Sequence, residues 1–107
     1  MLLALILVAG AAAEEPAQPA LQAWGDCLLM HAQVATAGTA RDTAIALAGL
    51  TICGAERDRY AKALVRAYAQ SPAETASPAS RSASQVREDQ AALARRTLAF
   101  IRRVRER

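Results

Sequence analysis

Large apolar residues crowd the start of the chain and then thin out into helical spacing. Met1, Leu2, Leu3, Leu5, Ile6, Leu7 and Val8 are followed by small residues up to Ala13, and Glu14, Glu15 and Pro16 break the run. A helix of these 13 residues would span about 20 Å, short of the roughly 30 Å that a membrane-crossing helix must cover. Beyond it, Leu21, Trp24, Leu28, His31 and Ala35 recur at helical spacing and predict a first helix over 19–37, with Pro19 in the first turn, where its missing N–H costs nothing. Gly38 offers a stop, and Thr39 with Asp42 resembles a capping box for a second helix over about 40–70. Its inward row would be Ile45, Gly49, Ile52, Cys53, Glu56, Tyr60, Leu64 and Ala67. Ser71-Pro72 ends that helix, because proline disfavours helix in the residue before it.

Residues 71–84, rich in Ser, Pro and Ala with no large apolar side chain, read as a linker. A third helical pattern covers 85–107, capped by Ser82 or Ser84, with Glu88 and Asp89 suited to the positive end of its dipole. Val86, Leu93, Phe100, Ile101 and Val104 lie on one side of it, and seven arginines take up much of the rest. No strand-like alternation and no internal repeat is present, so the fold class expected is all-α.

Composition sharpens this picture. Ala supplies 28 of the 107 residues, so the high apolar fraction leaves few side chains of any size to bury. A core this thin needs a staple, a metal or a partner. The leader supplies the context for one. Its length and its A-x-A endings, Ala9-Gly10-Ala11 and Ala11-Ala12-Ala13, are those of a secretory signal peptide cleaved near Ala13, although no Lys or Arg precedes the apolar run. The chain is therefore expected to be exported, to the periplasm or beyond. There, two cysteines read as a bridge.

Folding the first two helices antiparallel about Gly38–Thr39 brings Cys27 and Cys53 to nearly the same height, with Gly25, Gly49 and Gly54 allowing close approach. The expected architecture is a disulfide-stapled antiparallel helical hairpin (14–70) joined through the 71–84 linker to a basic amphipathic helix (85–107). Trp24 is expected to be the chief core residue of the hairpin.

Two alternatives to the bridge stand beside it, free buried thiols and a metal site. Cys27 and His31 are spaced i, i+4, and Cys53 and Glu56 i, i+3, so a metal- or redox-handling protein using Cys27, His31 and Cys53 is the rival reading. Against it, the same register sets His31 opposite Gly49 and leaves Glu56 nearer Trp24, so Glu56 is expected to pair with an arginine or lie exposed. Catalytic signatures are missing: there is no C-x-x-C, G-x-S-x-G, H-E-x-x-H or phosphate-cradling glycine loop, and only one His. No enzyme activity and no cofactor is expected.

Charge is distributed unevenly. Residues 14–85 are close to neutral, whereas 86–107 hold seven Arg against three acids, more than the whole chain's net +3. Arg95, Arg96, Arg102, Arg103 and Arg105 are candidates for contact with an anionic membrane surface or an acidic protein partner. Nucleic acid is disfavoured, since aromatic interleaving stops at Phe100. The competing role for this helix is structural: covering Leu64, Val65 and Tyr68, which the first helix cannot reach.

The pattern Trp24-x-x-Cys27 followed by Cys53-x-x-Glu56-Arg57, in an Ala-rich exported chain, resembles small exported proteobacterial proteins of no assigned activity. The resemblance covers residues 21–60 and implies a compartment and a hairpin, not a role. Intact mass of the protein recovered from its host should show loss of the first 13 residues and a gain of about two mass units on reduction. A full-length mass with free thiols would overturn both expectations.

Overall fold

The computed structural model describes residues 15–71 and 75–107, so the expected signal peptide lies outside the described residues. Among these the chain is all helical: α1 is Ala17–Ala35, α2 Asp42–Ile52, α3 Gly54–Ala69 and α4 Pro78–Arg105. A disulfide joins Cys27 to Cys53, with Cα atoms 6.0 Å apart.

α1 starts directly after Pro16, with Pro19 in its first turn, and ends two residues before the expected 37. Thr36 Oγ1 donates to the Gln33 carbonyl (3.0 Å) and the Gly38 N–H to the Ala35 carbonyl (3.0 Å), which takes up carbonyls that the helix leaves open. The capping box expected at Thr39 and Asp42 does not form. Arg41 holds the N-cap position of α2 with no side-chain cap, and Asp42 is drawn instead to Arg105.

The expected second helix is interrupted for one residue at Cys53, where φ is −93° and ψ is 23°, dividing it into α2 and α3. The hydrogen-bond ladder still passes through: the Cys53 N–H donates to the Gly49 carbonyl (2.9 Å) and the Arg57 N–H to that of Cys53 (3.2 Å). Two members of the expected inward row do not face in. Ile52 is 61% exposed, since Cys53 takes the inward position beside it, and Ala67 is exposed because the buried row of α3 runs through Tyr60, Ala63 and Leu64.

α4 begins at Pro78, seven residues ahead of the expected start, so residues 78–84 are helix. Ser77 is the cap, its Oγ accepting from the Ser80 N–H (3.1 Å), and Pro78 sits in the first helical turn. The small residues that look like linker in sequence allow close packing here. Ser82 is 2% exposed and its hydroxyl donates to the Ala61 carbonyl of α3 (2.8 Å). One consequence is that Glu88 and Asp89 lie well inside the helix rather than at its positive end.

The core has two parts. The larger gathers Ala20, Trp24, Leu28, Cys53, Tyr60, Ala63, Leu64 and Leu93, with Trp24 wholly buried as expected. Trp24 and Tyr60 meet with ring centroids 6.0 Å apart. The smaller part joins Ala32, Ile45 and Ile101, flanked by Ala35, Ala46 and Phe100. α4 thus contributes to both parts and packs on α1, α2 and α3. At the end of α3, the Arg81 guanidinium of α4 lies 4.0 Å from the centre of the Tyr68 ring, and Leu64 is buried in the larger part of the core. Close contact elsewhere rests on glycine. A Cβ on Gly49 would stand 3.2 Å from His31 Cδ2 and 3.3 Å from Leu28 Cδ2.

Because Ile101 is wholly buried, truncating it removes transfer free energy and leaves a cavity. Ile101→Ala should lower the unfolding free energy by about 2–5 kcal/mol, whereas Arg102→Gln on the exposed side should change it by about 0.5 kcal/mol or less. Urea denaturation reads both. Equal midpoints for Ile101→Ala and the parent would mean that α4 adds nothing to the core.

Candidate functional site

Three features of the described residues bear on function: an arginine face, a groove beside it, and a polar group around the disulfide.

Arg95 and Arg102 are seven residues apart on α4, as are Arg96 and Arg103, and two turns of helix bring each pair to one side. All four are exposed. Among the described residues the ion pairs are Arg57–Asp58 (3.2 Å), Arg59–Glu15 (2.7 Å) and Arg105–Asp42 (2.7 Å), so none of the four is neutralised by a carboxylate there. Arg105, grouped with them by sequence, sits differently. It donates to Asp42 Oδ1 (2.7 Å) and to the carbonyls of Ala40 (2.6 Å) and Gly38 (3.1 Å). It fastens the α1–α2 turn to the end of α4, with three hydrogen bonds from its guanidinium committed to that contact.

A groove of about 790 Å³ runs between α1 and α4, with Arg96, Arg103, Asp26 and Asp89 among the polar groups on its walls and Leu29 and Phe100 among the apolar ones. Arg96 and Arg103 thus share the groove with two acids, while Arg95 and Arg102 are not among its lining residues. The apolar side of α4 is committed elsewhere, since Leu93, Thr97 and Ile101 are buried against the other helices. Leu93 and Ile101 are thereby withdrawn from any surface contact, and among the described residues no helix is long and apolar enough to cross a membrane.

Tyr60 and Asp89 form a polar contact that sequence reasoning missed. The Tyr60 hydroxyl donates to Asp89 Oδ2, which also accepts from Gln85 Nε2 (3.2 Å). Burial, then the hydrogen bond to the Asp89 carboxylate and its negative charge, push the Tyr60 hydroxyl well above the usual tyrosine range. The signal was legible in one respect: Asp89 falls on the same side of α4 as Ser82, Val86 and Leu93, an acid in an otherwise inward row.

Around the disulfide the expected positions hold in part. Gly49 lies against His31, as the register required. Glu56 neither pairs with an arginine nor lies exposed: its Oε2 is buried with no hydrogen-bond partner, a correction that follows from its place one turn after Cys53. The nearest grouping of ligand-type atoms is Cys27 Sγ, Cys53 Sγ and a Glu56 carboxylate oxygen, all within 4.8 Å of one another, and His31 is outside it. Comparison with protein families, curated proteins and solved structures finds no match to this chain.

The Tyr60 shift makes stability depend on pH in one direction. Below the ordinary tyrosine value of about 10 the hydroxyl is neutral folded or unfolded. Above it the unfolded chain releases the proton while the folded chain keeps it, so stability falls as pH rises. Urea midpoints compared at about pH 9 and about pH 11 should fall more steeply for the parent than for Tyr60→Phe, with a limiting slope of about 1.4 kcal/mol per pH unit. Parallel slopes would remove Tyr60 as the cause.

Proposed function

We propose that this chain is an exported, non-catalytic, envelope-associated binding protein. In this reading α1 and the α2–α3 segment form an antiparallel hairpin, supported by the Cys27–Cys53 bond and by His31 lying against Gly49. The hairpin holds α4 as a rigid basic rim that docks on anionic phospholipid. The observation that carries the proposal is the exposure of Arg95, Arg96, Arg102 and Arg103 in two i, i+7 pairs, none in an ion pair among the described residues, with Arg96 and Arg103 at the groove that also holds Asp26 and Asp89. Export is supported by the leader's pattern and by a disulfide, which persists where the compartment is oxidising.

The contact is electrostatic, because the apolar residues of α4 are already used in the core. Each arginine close to an anionic lipid surface contributes about 1 kcal/mol, roughly a fivefold gain in binding, and the effect decays over a Debye length. Binding should therefore require anionic lipid and weaken sharply with salt.

Co-sedimentation with vesicles of mixed anionic and zwitterionic phospholipid tests this. Changing all four arginines to Gln should cost roughly a hundredfold or more in affinity. Arg105→Gln should cost little, since that side chain is held by Asp42 and two carbonyls. Unchanged binding by the fourfold variant would retire the lipid reading, and salt-sensitive capture of acidic protein in place of vesicles would reassign the face to an acidic protein partner.

A further inference from the structure

The group around the disulfide has the chemistry of a metal site, and it stands apart from the arginine face of α4. Cys27 Sγ, Cys53 Sγ and a carboxylate oxygen of Glu56 come within 4.8 Å of one another. Two bonded sulfurs beside an acid would not by themselves call for a ligand. The second observation is the state of that acid: Glu56 Oε2 is buried and accepts no hydrogen bond. A buried carboxylate oxygen without a donor is costly, and buried polar groups are otherwise almost always satisfied. A cation bound at the sulfurs would satisfy it.

We propose that, once the Cys27–Cys53 bond is reduced, Cys27, Cys53 and Glu56 bind a zinc ion, its fourth position filled by an exogenous ligand. Thiolate and carboxylate donors are ones zinc accepts in tetrahedral geometry, whereas magnesium and calcium prefer oxygen alone. With Zn–S bonds of about 2.3 Å the two sulfurs need to separate to roughly 3.8 Å. In the proposed site, rotation of the two side chains takes up this change across Cα atoms 6.0 Å apart. Two thiolates and a carboxylate leave the zinc site with one negative charge.

Reduction has a defined course. Cys53 is wholly buried and Cys27 is partly exposed, so the attacking thiolate of a dithiol reductant reaches Cys27 Sγ and forms a mixed disulfide there. The second thiol of the reductant displaces Cys27. The net transfer is two electrons and two protons: the dithiol becomes a disulfide and both cysteines become thiols. Zinc then displaces the two thiol protons. The chain thus exchanges one crosslink for another, a covalent bond under oxidising conditions and a metal bridge under reducing ones.

The experiment uses the full chain, reduced without air by a phosphine, which is oxidised to its phosphine oxide by taking oxygen from water. Zinc per chain is measured after dialysis, affinity by competition with a chromophoric chelator, and helicity by circular dichroism in the same samples. Expected are one zinc per reduced chain, none on the oxidised chain, and recovery on zinc addition of any helicity lost on reduction. Glu56→Gln should weaken zinc binding about tenfold or more, while Asp58→Asn, an exposed neighbouring acid outside the group, should leave it unchanged. Cobalt in place of zinc should give thiolate-to-cobalt charge-transfer absorption in the reduced parent. The proposal is overturned by substoichiometric zinc on the reduced chain or by equal uptake on the oxidised chain. It is likewise overturned by unchanged affinity in Glu56→Gln, which would assign the metal to the cysteines of a loosened chain.

Discussion

The Cys27–Cys53 crosslink is the constraint on which the other contacts depend. The core has few large side chains: Trp24, Leu28 and Ile101 are the bulkiest that are fully buried besides Cys53 itself. Much of the remaining contact is made by Ala20, Ala32 and Ala63, which bring backbones close together but bury little area. The two bonded cysteines are 26 residues apart in sequence, and closing a loop of that size restricts the unfolded chain by about 3–4 kcal/mol on the chain-entropy account. For a small domain that is a large share of the usual stability margin. Glycine is the complement of the bond. With the helices held this close, His31 and Leu28 leave no room for a Cβ on Gly49 without adjustment.

α4 then solves the problem that the first three helices leave. α1 is 19 residues long, while α2 and α3 together extend from Asp42 to Ala69. The end of α3 beyond the reach of α1 needs another cover. The first turns of α4 supply it through Ser82 on the Ala61 carbonyl and Arg81 over Tyr68. Its last turn holds the α1–α2 turn through Arg105. Between these two fastenings Leu93 and Ile101 enter the two parts of the core. A 28-residue helix pinned at both ends presents its remaining surface in a fixed direction, and that surface carries Arg95 and Arg102. The fixed direction of that surface is therefore a by-product of packing.

How much of this was legible in the sequence depends on which physical rule governed each position. Trp24, Leu28, Tyr60 and Leu64 follow helical periodicity and are buried where that period puts them, and the cysteine register needed only helix rise and one turn. The start of α4 was missed because Ser, Ala and Pro were read by composition as linker. Ser77 and Pro78 are instead a cap and a first-turn proline, and Ser82 is small enough to let two backbones approach. Thr39 and Asp42 had the spacing of a capping box, yet an arginine 63 residues away in sequence took Asp42. Nothing local to Thr39 or Asp42 encodes that competitor. Asp89 is similar: its partner Tyr60 lies on another helix, and the pairing emerges only once α4 is docked.

The polar atoms left without partners are not scattered through the core. Trp24 Nε1, His31 Nε2 and Glu56 Oε2 are the buried side-chain atoms without a hydrogen bond among the described residues. Trp24 is three positions before Cys27, His31 four after it, and Glu56 three after Cys53. Each unmet donor or acceptor costs on the order of 1–3 kcal/mol, and an apolar residue of similar shape would avoid that cost. A chain whose stability depends on a single staple has the least room for such a cost beside that staple. Sequences depart from local consistency in this way chiefly where function demands it. The arginine face imposes no such burden, because solvated cations on a helix surface cost the fold almost nothing. By this argument the neighbourhood of the disulfide is where the described residues forgo stability that simpler residues would have supplied.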